Sequence, residues 1–312
     1  MGTAPERMTR VTLIDRLRER QLVVVTGKGG VGKTVLSAAL AHGLAAAGAR
    51  VLLLELDPRE SLHHLLDAPP SGGEVVEVRP RLFLHHLDPR IVLESLVRER
   101  LPVPMLARKV VASPLFRQFA DAAPGLKEMA VLGHALRLVG GKAKPAVDVV
   151  VLDAPATGHG VSLLAAPLLV AEVIVRGPVG DLAREVADFV ADPRRCGTVI
   201  GTLAEELPVQ EAVELIGMLR SRLDRAPEAV IVNAVYPVPP RQGTKAPAGT
   251  AAAVTLWRRR RRVNEREIGR LAKAWPGPRI EIPLLPIDRG PDLVAEIAAR
   301  LEAGPIPGQG RR

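Results

Sequence analysis

The stretch Leu22-Val23-Val24-Val25-Thr26-Gly27-Lys28-Gly29-Gly30-Val31-Gly32-Lys33-Thr34-Val35 decides the fold. Leu22–Val25 is short, wholly apolar and rich in valine, as a strand buried on both faces of a parallel sheet should be. Gly27–Thr34 then fits G-x-x-x-x-G-K-[ST]. Its glycines let the backbone curl so that several N–H groups face one anion. An Ala/Leu-rich helix to about Ala47 follows, closed by Gly48, and its positive end faces the same anion. Lys33 supplies a point charge for the β- and γ-phosphates, and Thr34 a ligand for Mg²⁺. A strand before the loop and a helix after it is the context that separates a nucleotide site from a chance glycine-rich turn. The expected contacts are Gly27, Gly29, Gly30, Val31, Gly32, Lys33, Thr34 and Val35.

Working outward, strands alternate with helices. Val51–Leu56 is the next strand and ends in Asp57-Pro58. Further strands are expected near 82–87, 147–152, 171–175, 198–203, 229–232 and 279–282. Helices are expected over 12–20, 180–191, 209–222, 254–274 and 291–302. This alternation predicts an α/β fold: a doubly wound, mostly parallel sheet covered on both faces, with a helical insertion. One P-loop domain over 1–312 is expected. An N-terminal helix and arm covers 1–21, and the nucleotide-binding core covers 22–90 and 142–302. The insertion covers 91–141, and a Pro/Gly-rich loop, expected to be mobile, covers 237–250. A flexible tail covers 303–312.

Lys28 is an extra lysine inside the loop. The run Lys28–Thr34 resembles the deviant phosphate loop of the nucleotide-dimerised ATPases, which include the ArsA/Get, Min, partition and nitrogenase-iron-protein families. That resemblance implies a homodimer in which Lys28 reaches the partner's nucleotide, much as an arginine finger does. Four further segments resemble the ArsA/Get-pathway (anion-transporting) ATPases. Asp57-Pro58-Arg59-Glu60-Ser61-Leu62 is similar to their switch I, which implies that Asp57 orients the attacking water. Leu82–Pro89 is similar to the strand and Asp-Pro that follow. Pro124-Gly125-Leu126-Lys127-Glu128 is similar to their Pro-Gly-x-x-Glu signature. Val149–His159 is similar to their Walker B and switch II, which implies that Asp153 holds Mg²⁺ through water. The order there departs from Thr-Ala-Pro-Thr-Gly-His, because Pro155 comes one place early. The resemblance also implies that Asn233, at a strand end, bonds adenine and that the loop at Pro286 covers it. No guanine-specific motif follows Asn233, so ATP is expected rather than GTP.

Composition narrows the role. The 312 residues are 47% hydrophobic and 25% charged, an ordinary globular mix, and only 2% aromatic, which leaves few platforms for stacking nucleic-acid bases. The N-terminus shows no apolar signal segment, and no stretch is apolar and long enough to span a bilayer, so a cytoplasmic protein is expected. The single cysteine, Cys196, cannot supply the thiolate set by which arsenite pumps of the family bind arsenic, nor the Cys-x-x-Cys zinc clamp of its targeting members. The pairs His63-His64 and His85-His86 do not replace it, since adjacent side chains diverge. Apolar residues of the insertion, such as Leu96, Val97 and Val111, either line a groove or pack on one another. The net charge of +9 is concentrated in residues 257–270, with seven arginines and two glutamates. Glu265 and Glu267 dilute that run. It reads as a solvated helix face anchored by Leu256, Trp257, Val263, Ile268 and Leu271 on the other side, and nucleic acid is not an expected partner. The function expected is a Mg-ATP-hydrolysing, nucleotide-switched homodimer acting on a protein cargo or membrane partner that the sequence does not name. The rival is a partition- or Min-type switch that binds DNA or a membrane surface.

Overall fold

A computed structural model describes residues 11–56, 61–100, 103–114, 116, 118, 123–155, 160–239 and 251–304. Asp57, Thr157–His159, most of the loop 237–250 and the tail from 305 lie outside these residues.

Eight strands form one sheet: β1 Leu22–Thr26, β2 Val51–Glu55, β3 Val75–Arg79, β4 Leu82–His86, β5 Val149–Asp153, β6 Cys196–Leu203, β7 Ala229–Val235 and β8 Arg279–Pro283. Their order is β3-β4-β2-β5-β1-β6-β7-β8. All neighbours are parallel except β3, which runs antiparallel to β4 at the edge. The chain winds one way from β1 to β2 and β4, and the other way from β5 to β6, β7 and β8. The reversal lies beside β1, so a crevice opens at the carboxyl end of that strand, where open α/β sheets bind ligands.

Successive side chains of the central strands enter opposite cores, as strand pleating requires. Leu22 and Val24 of β1, Leu52 and Leu54 of β2, and Val150 and Leu152 of β5 face one core. Val23 and Val25, Val51 and Leu53, and Val149 and Val151 face the other. The second core is closed by α1 Leu13–Arg18, α2 Lys33–Ala46, α3 Leu62–Leu66 and α11 Pro291–Ala303. Leu13, Ile14 and Leu17 of α1 are buried there, as their spacing predicts. The first core is closed by α4 Pro89–Arg100, α6 Leu126–Val139, α7 Gly160–Val173, α8 Pro178–Ala191, α9 Glu206–Leu223 and α10 Ala251–Ala274. Between α4 and α6 lies α5 Pro104–Ala112.

Two expectations need correction. Residues 171–173 are not a strand but the end of α7, and Ile174 and Val175 lie beyond it outside the sheet. This helix is apolar on nearly all sides, and an all-round apolar run has no period to separate helix from strand. The sheet also gains β3, whose residues are only partly buried and gave no clear alternation. In the stretch 91–141, Leu96 and Val111 are buried and α6 packs deep in the core, whereas Ile91, Val103 and Met105 are exposed.

Candidate active site

The loop from Gly27 leaves the carboxyl end of β1 and runs directly into α2. Gly32 caps α2 in the left-handed region at φ 88°, and a Cβ there would lie 2.4 Å from Asn233 Nδ2. Val31 is buried, and its carbonyl accepts a hydrogen bond from Asn233 Nδ2 at 3.0 Å. Asn233 Oδ1 in turn accepts from the Ala234 N–H at 2.9 Å. The residue singled out for adenine therefore also braces the phosphate loop against β7. Pro286 is exposed in the turn after β8, at the same edge of the sheet.

Lys33 is the first residue of α2 and is only 7% exposed. Its ammonium donates to the Lys28 carbonyl at 2.9 Å, which arches the loop over the lysine. The Lys28 side chain is turned elsewhere, to an ion pair with Glu211 on α9. The second carboxylate oxygen of Glu211 is buried without a partner among the described residues.

Under the loop, Asp153 ends β5 at 6% exposure. Ser37 of α2 donates its hydroxyl to Asp153 Oδ1 at 3.0 Å, and the Thr34 hydroxyl is a second partner. Burial pushes the Asp153 carboxyl up to about 6; the two hydroxyls and Lys33 pull it down in part. Glu55, at 1% exposure, stands opposite Asp153 in the β2–β5 register and adds negative charge beside it. The Glu55 carboxylate accepts from Ser61 N–H at 2.7 Å, Ser61 Oγ at 2.9 Å and the Leu62 N–H. The chain thus leaves β2 at Glu55 and is tied back to that same residue at Ser61, and Asp57 lies on the segment between. α7 starts at Gly160, immediately after 156–159, and comes very close to Thr26 at the end of β1. A Cβ on Gly160 would lie 1.9 Å from Thr26 Oγ1.

The structure therefore brings together Lys28, Lys33, Thr34, Asp153 and Asn233. Ser37, Glu55, Glu211 and Gly160 were not singled out from the sequence. Each owes its place to a contact far along the chain, and no local motif marks it. Buried charge of both signs, hydroxyl oxygens and a helix N-terminus meet at one sheet edge, an arrangement suited to phosphate and a hard cation.

The sequence model of the anion-transporting ATPases (ArsA_ATPase) matches residues 20–177, from the start of β1 past the end of α7. The chain belongs to this family. It is an ATPase with the family's P-loop fold. ATPase BagA of Mycobacterium tuberculosis is 31% identical over 242 residues, covering 71% of this chain and 67% of that protein. The arsenical pump-driving ATPase of Escherichia coli is 29% identical over 226 residues, covering 71% of this chain but 36% of its own length. ATPase GET3 of Malassezia globosa is 30% identical over 154 residues, or 48% and 43% of the two chains.

Within this member of the family, Cys196 is fully buried on β6, and burial pushes its thiol up from the ordinary range. Among the described residues, no three or more His, Cys, Asp or Glu side chains form a group that could hold a metal. The fold stands His85 beside His134, far along the chain, with ring centroids 5.7 Å apart. No helix among the described residues is long and apolar enough to cross a membrane.

Proposed function

We propose that this ATPase is a nucleotide-switched homodimer that hydrolyses Mg-ATP at the carboxyl edge of its sheet. Closure of the dimer would drive a protein cargo or membrane partner. The observation that carries the reading is the convergence of Lys33, Thr34, Ser37 and Asp153 beneath the loop, with Lys28 held apart from its own loop by Glu211. Mg²⁺ fits this donor set, because the Thr34 hydroxyl and Asp153 carboxylate are hard oxygens in contact with one another. When bound, the ion neutralises charge building on the phosphates.

The chain's own groups do the rest. The loop N–H groups and Lys33 hold the β- and γ-phosphates. Asp57 orients the attacking water, and the Glu55 tie at Ser61 fixes one end of its segment. Asn233 keeps a second N–H for the adenine edge, and the turn at Pro286 covers the base. Lys28 leaves Glu211 to reach the partner's nucleotide, where positive charge offsets the charge gained in the transition state. The E. coli relative drives an arsenical pump by its name. One buried cysteine per chain does not support that effector here.

The test is hydrolysis and nucleotide binding by the purified protein. ATP should turn over with Mg²⁺, stop with EDTA, and be unaffected by arsenite; GTP should be a poor substrate. Lys33→Ala should lose nucleotide binding by at least about tenfold, as charge-assisted hydrogen bonds to a buried partner are worth about 1.5–3 kcal/mol. Full nucleotide affinity in Lys33→Ala would overturn the site, and equal GTP turnover would overturn the base reading.

A further inference from the structure

Both glutamates of the α10 arginine run form ion pairs within it. Glu267 is buried at 3%, beneath Arg266 and Arg270, to which it is paired. Glu265 lies to one side and pairs with Arg261. The inner face of the helix is formed by Asn264, Glu267 and Leu271, while Leu256, expected as an anchor, is 57% exposed. At about 100° per residue, Arg259, Arg262, Arg266, Arg270 and Lys273 fall within an arc of about 80° on the side away from Leu271. All five are exposed. They make one straight ridge of cations about 21 Å long, at a rise of 1.5 Å per residue. Among the described residues, Arg259, Arg262 and Lys273 have no acidic partner.

The ridge fits a polyanion, and its shape favours one kind. A helix seated in a duplex groove meets phosphates along both walls and carries cations on both flanks. Here five exposed cations stand in one row along the helix, and Arg260 beside them is paired with Glu205; a plane of phosphates meets such a row all at once. Beside the amino end of the ridge stands exposed Leu256, and Val238 is 77% exposed. Headgroup layers absorb such side chains and aqueous polyanions do not. The Trp257 indole N–H donates to the Pro237 carbonyl at 2.8 Å, which ties the amino end of the ridge to the chain after β7.

We propose that α10 is a peripheral docking surface for an anionic phospholipid membrane, with the ridge on the lipid phosphates and Leu256 at the headgroup boundary. This surface is separate from the nucleotide site, so its failure would leave the ATPase reading standing. The full chain is co-sedimented with vesicles of phosphatidylcholine, with and without about 30% phosphatidylglycerol, at low and high salt. Binding should require phosphatidylglycerol and fall away with salt. The triple variant Arg259→Gln/Arg262→Gln/Lys273→Gln should lose binding on the order of 100-fold, at roughly fivefold per cation near an anionic surface. Unchanged ATP hydrolysis and thermal melting in that variant would show that it is folded. Binding that is absent, that is equal on pure phosphatidylcholine, or that survives in the folded variant would overturn the proposal. Tighter binding to a duplex DNA at the same salt would assign the ridge to nucleic acid instead.

Discussion

At the scale of single residues, the site trades stability for chemistry at Asp153. Its carboxyl is raised from 3.8 to about 6, chiefly because the folded chain takes it out of water. An acid with a higher pKa in the folded state holds its proton more tightly there. Its stabilising share is full below 3.8 and is lost as pH rises through the window to about 6. At neutral pH the ionised form therefore costs on the order of 3 kcal/mol when no cation is bound. Asp153→Asn removes that cost while keeping the shape. In nucleotide-free, Mg²⁺-free protein, the variant should melt higher than wild type at neutral pH and show little gain below the window. Hydrolysis should fall on the order of 10–100-fold if the carboxylate orients a metal-bound water. Thermal melts at the two pH values and initial rates check both halves; equal melts at neutral pH would mean that Asp153 is not ionised against a penalty. Thr34 and Asp153 were legible in the sequence because each belongs to a short local pattern. Ser37 and Glu55 touch the same carboxylate chemistry, yet a serine one turn into a helix and a glutamate at a strand end carry no such mark. Their meaning comes only when β2 and β5 are set in register.

At the scale of elements, the strand–loop–helix unit was readable because its parts are contiguous, and its consequences for topology followed from the handedness of crossovers. The failures were elements whose identity is tertiary. The end of α7 looked like a strand since it is buried all round, and β3 is an edge strand with little to bury. Sequence also does not say which glutamate of α10 turns inward; Glu267 does, and it pairs with Arg266 and Arg270. The start of α7 shows how tightly these elements constrain the site. Gly160 passes so close to β1 that a Cβ would lie 2.4 Å from Thr26 Cβ as well as against its hydroxyl oxygen. Gly160→Ala must push the helix or the strand end away, and the phosphate loop begins one residue after Thr26. Overpacking of this kind typically costs about 1–3 kcal/mol. The variant should melt several degrees lower and hydrolyse ATP more slowly, while an alanine at Gly217, which meets no atom within 4 Å inside α9, should leave the rate unchanged and melt slightly higher, since alanine favours a helix interior over glycine by about 1 kcal/mol. Equal melting and rates in the Gly160 and Gly217 variants would show that the approach is not constrained.

At the scale of the whole molecule, the question is what Lys28 is for. Lys33 already serves the loop from within, and its own hydrogen bond goes to the Lys28 carbonyl, which leaves the Lys28 side chain outside that arrangement. Glu211 holds this side chain in the same chain, and both partners are partly exposed, so the pair can be exchanged for a better anion at modest cost. A symmetric dimer that brings two nucleotides face to face offers that anion, and each chain then donates one lysine to the other's site. Lys28→Ala should bind ATP nearly as well as wild type, hydrolyse it poorly and fail to dimerise by light scattering. Glu211→Gln should act in the opposite sense, with ATP-induced dimerisation at lower protein concentration. Mixing separates action across the interface from action within one chain. Lys28→Ala and Asp57→Asn are each expected to be inactive alone, the second by loss of a positioning carboxylate worth on the order of 10²–10⁴ in rate. In a mixed dimer, the Lys28→Ala chain keeps its own Asp57 and receives an intact Lys28 from its partner, so one complete site forms. Partial recovery of hydrolysis on mixing is the expected result, at up to about a quarter of the wild-type rate per site for random pairing. If heterodimers form and the mixture stays inactive, Lys28 serves its own nucleotide. If ATP produces no dimer even in the Glu211→Gln chain, the switch is not a dimer of this protein with itself.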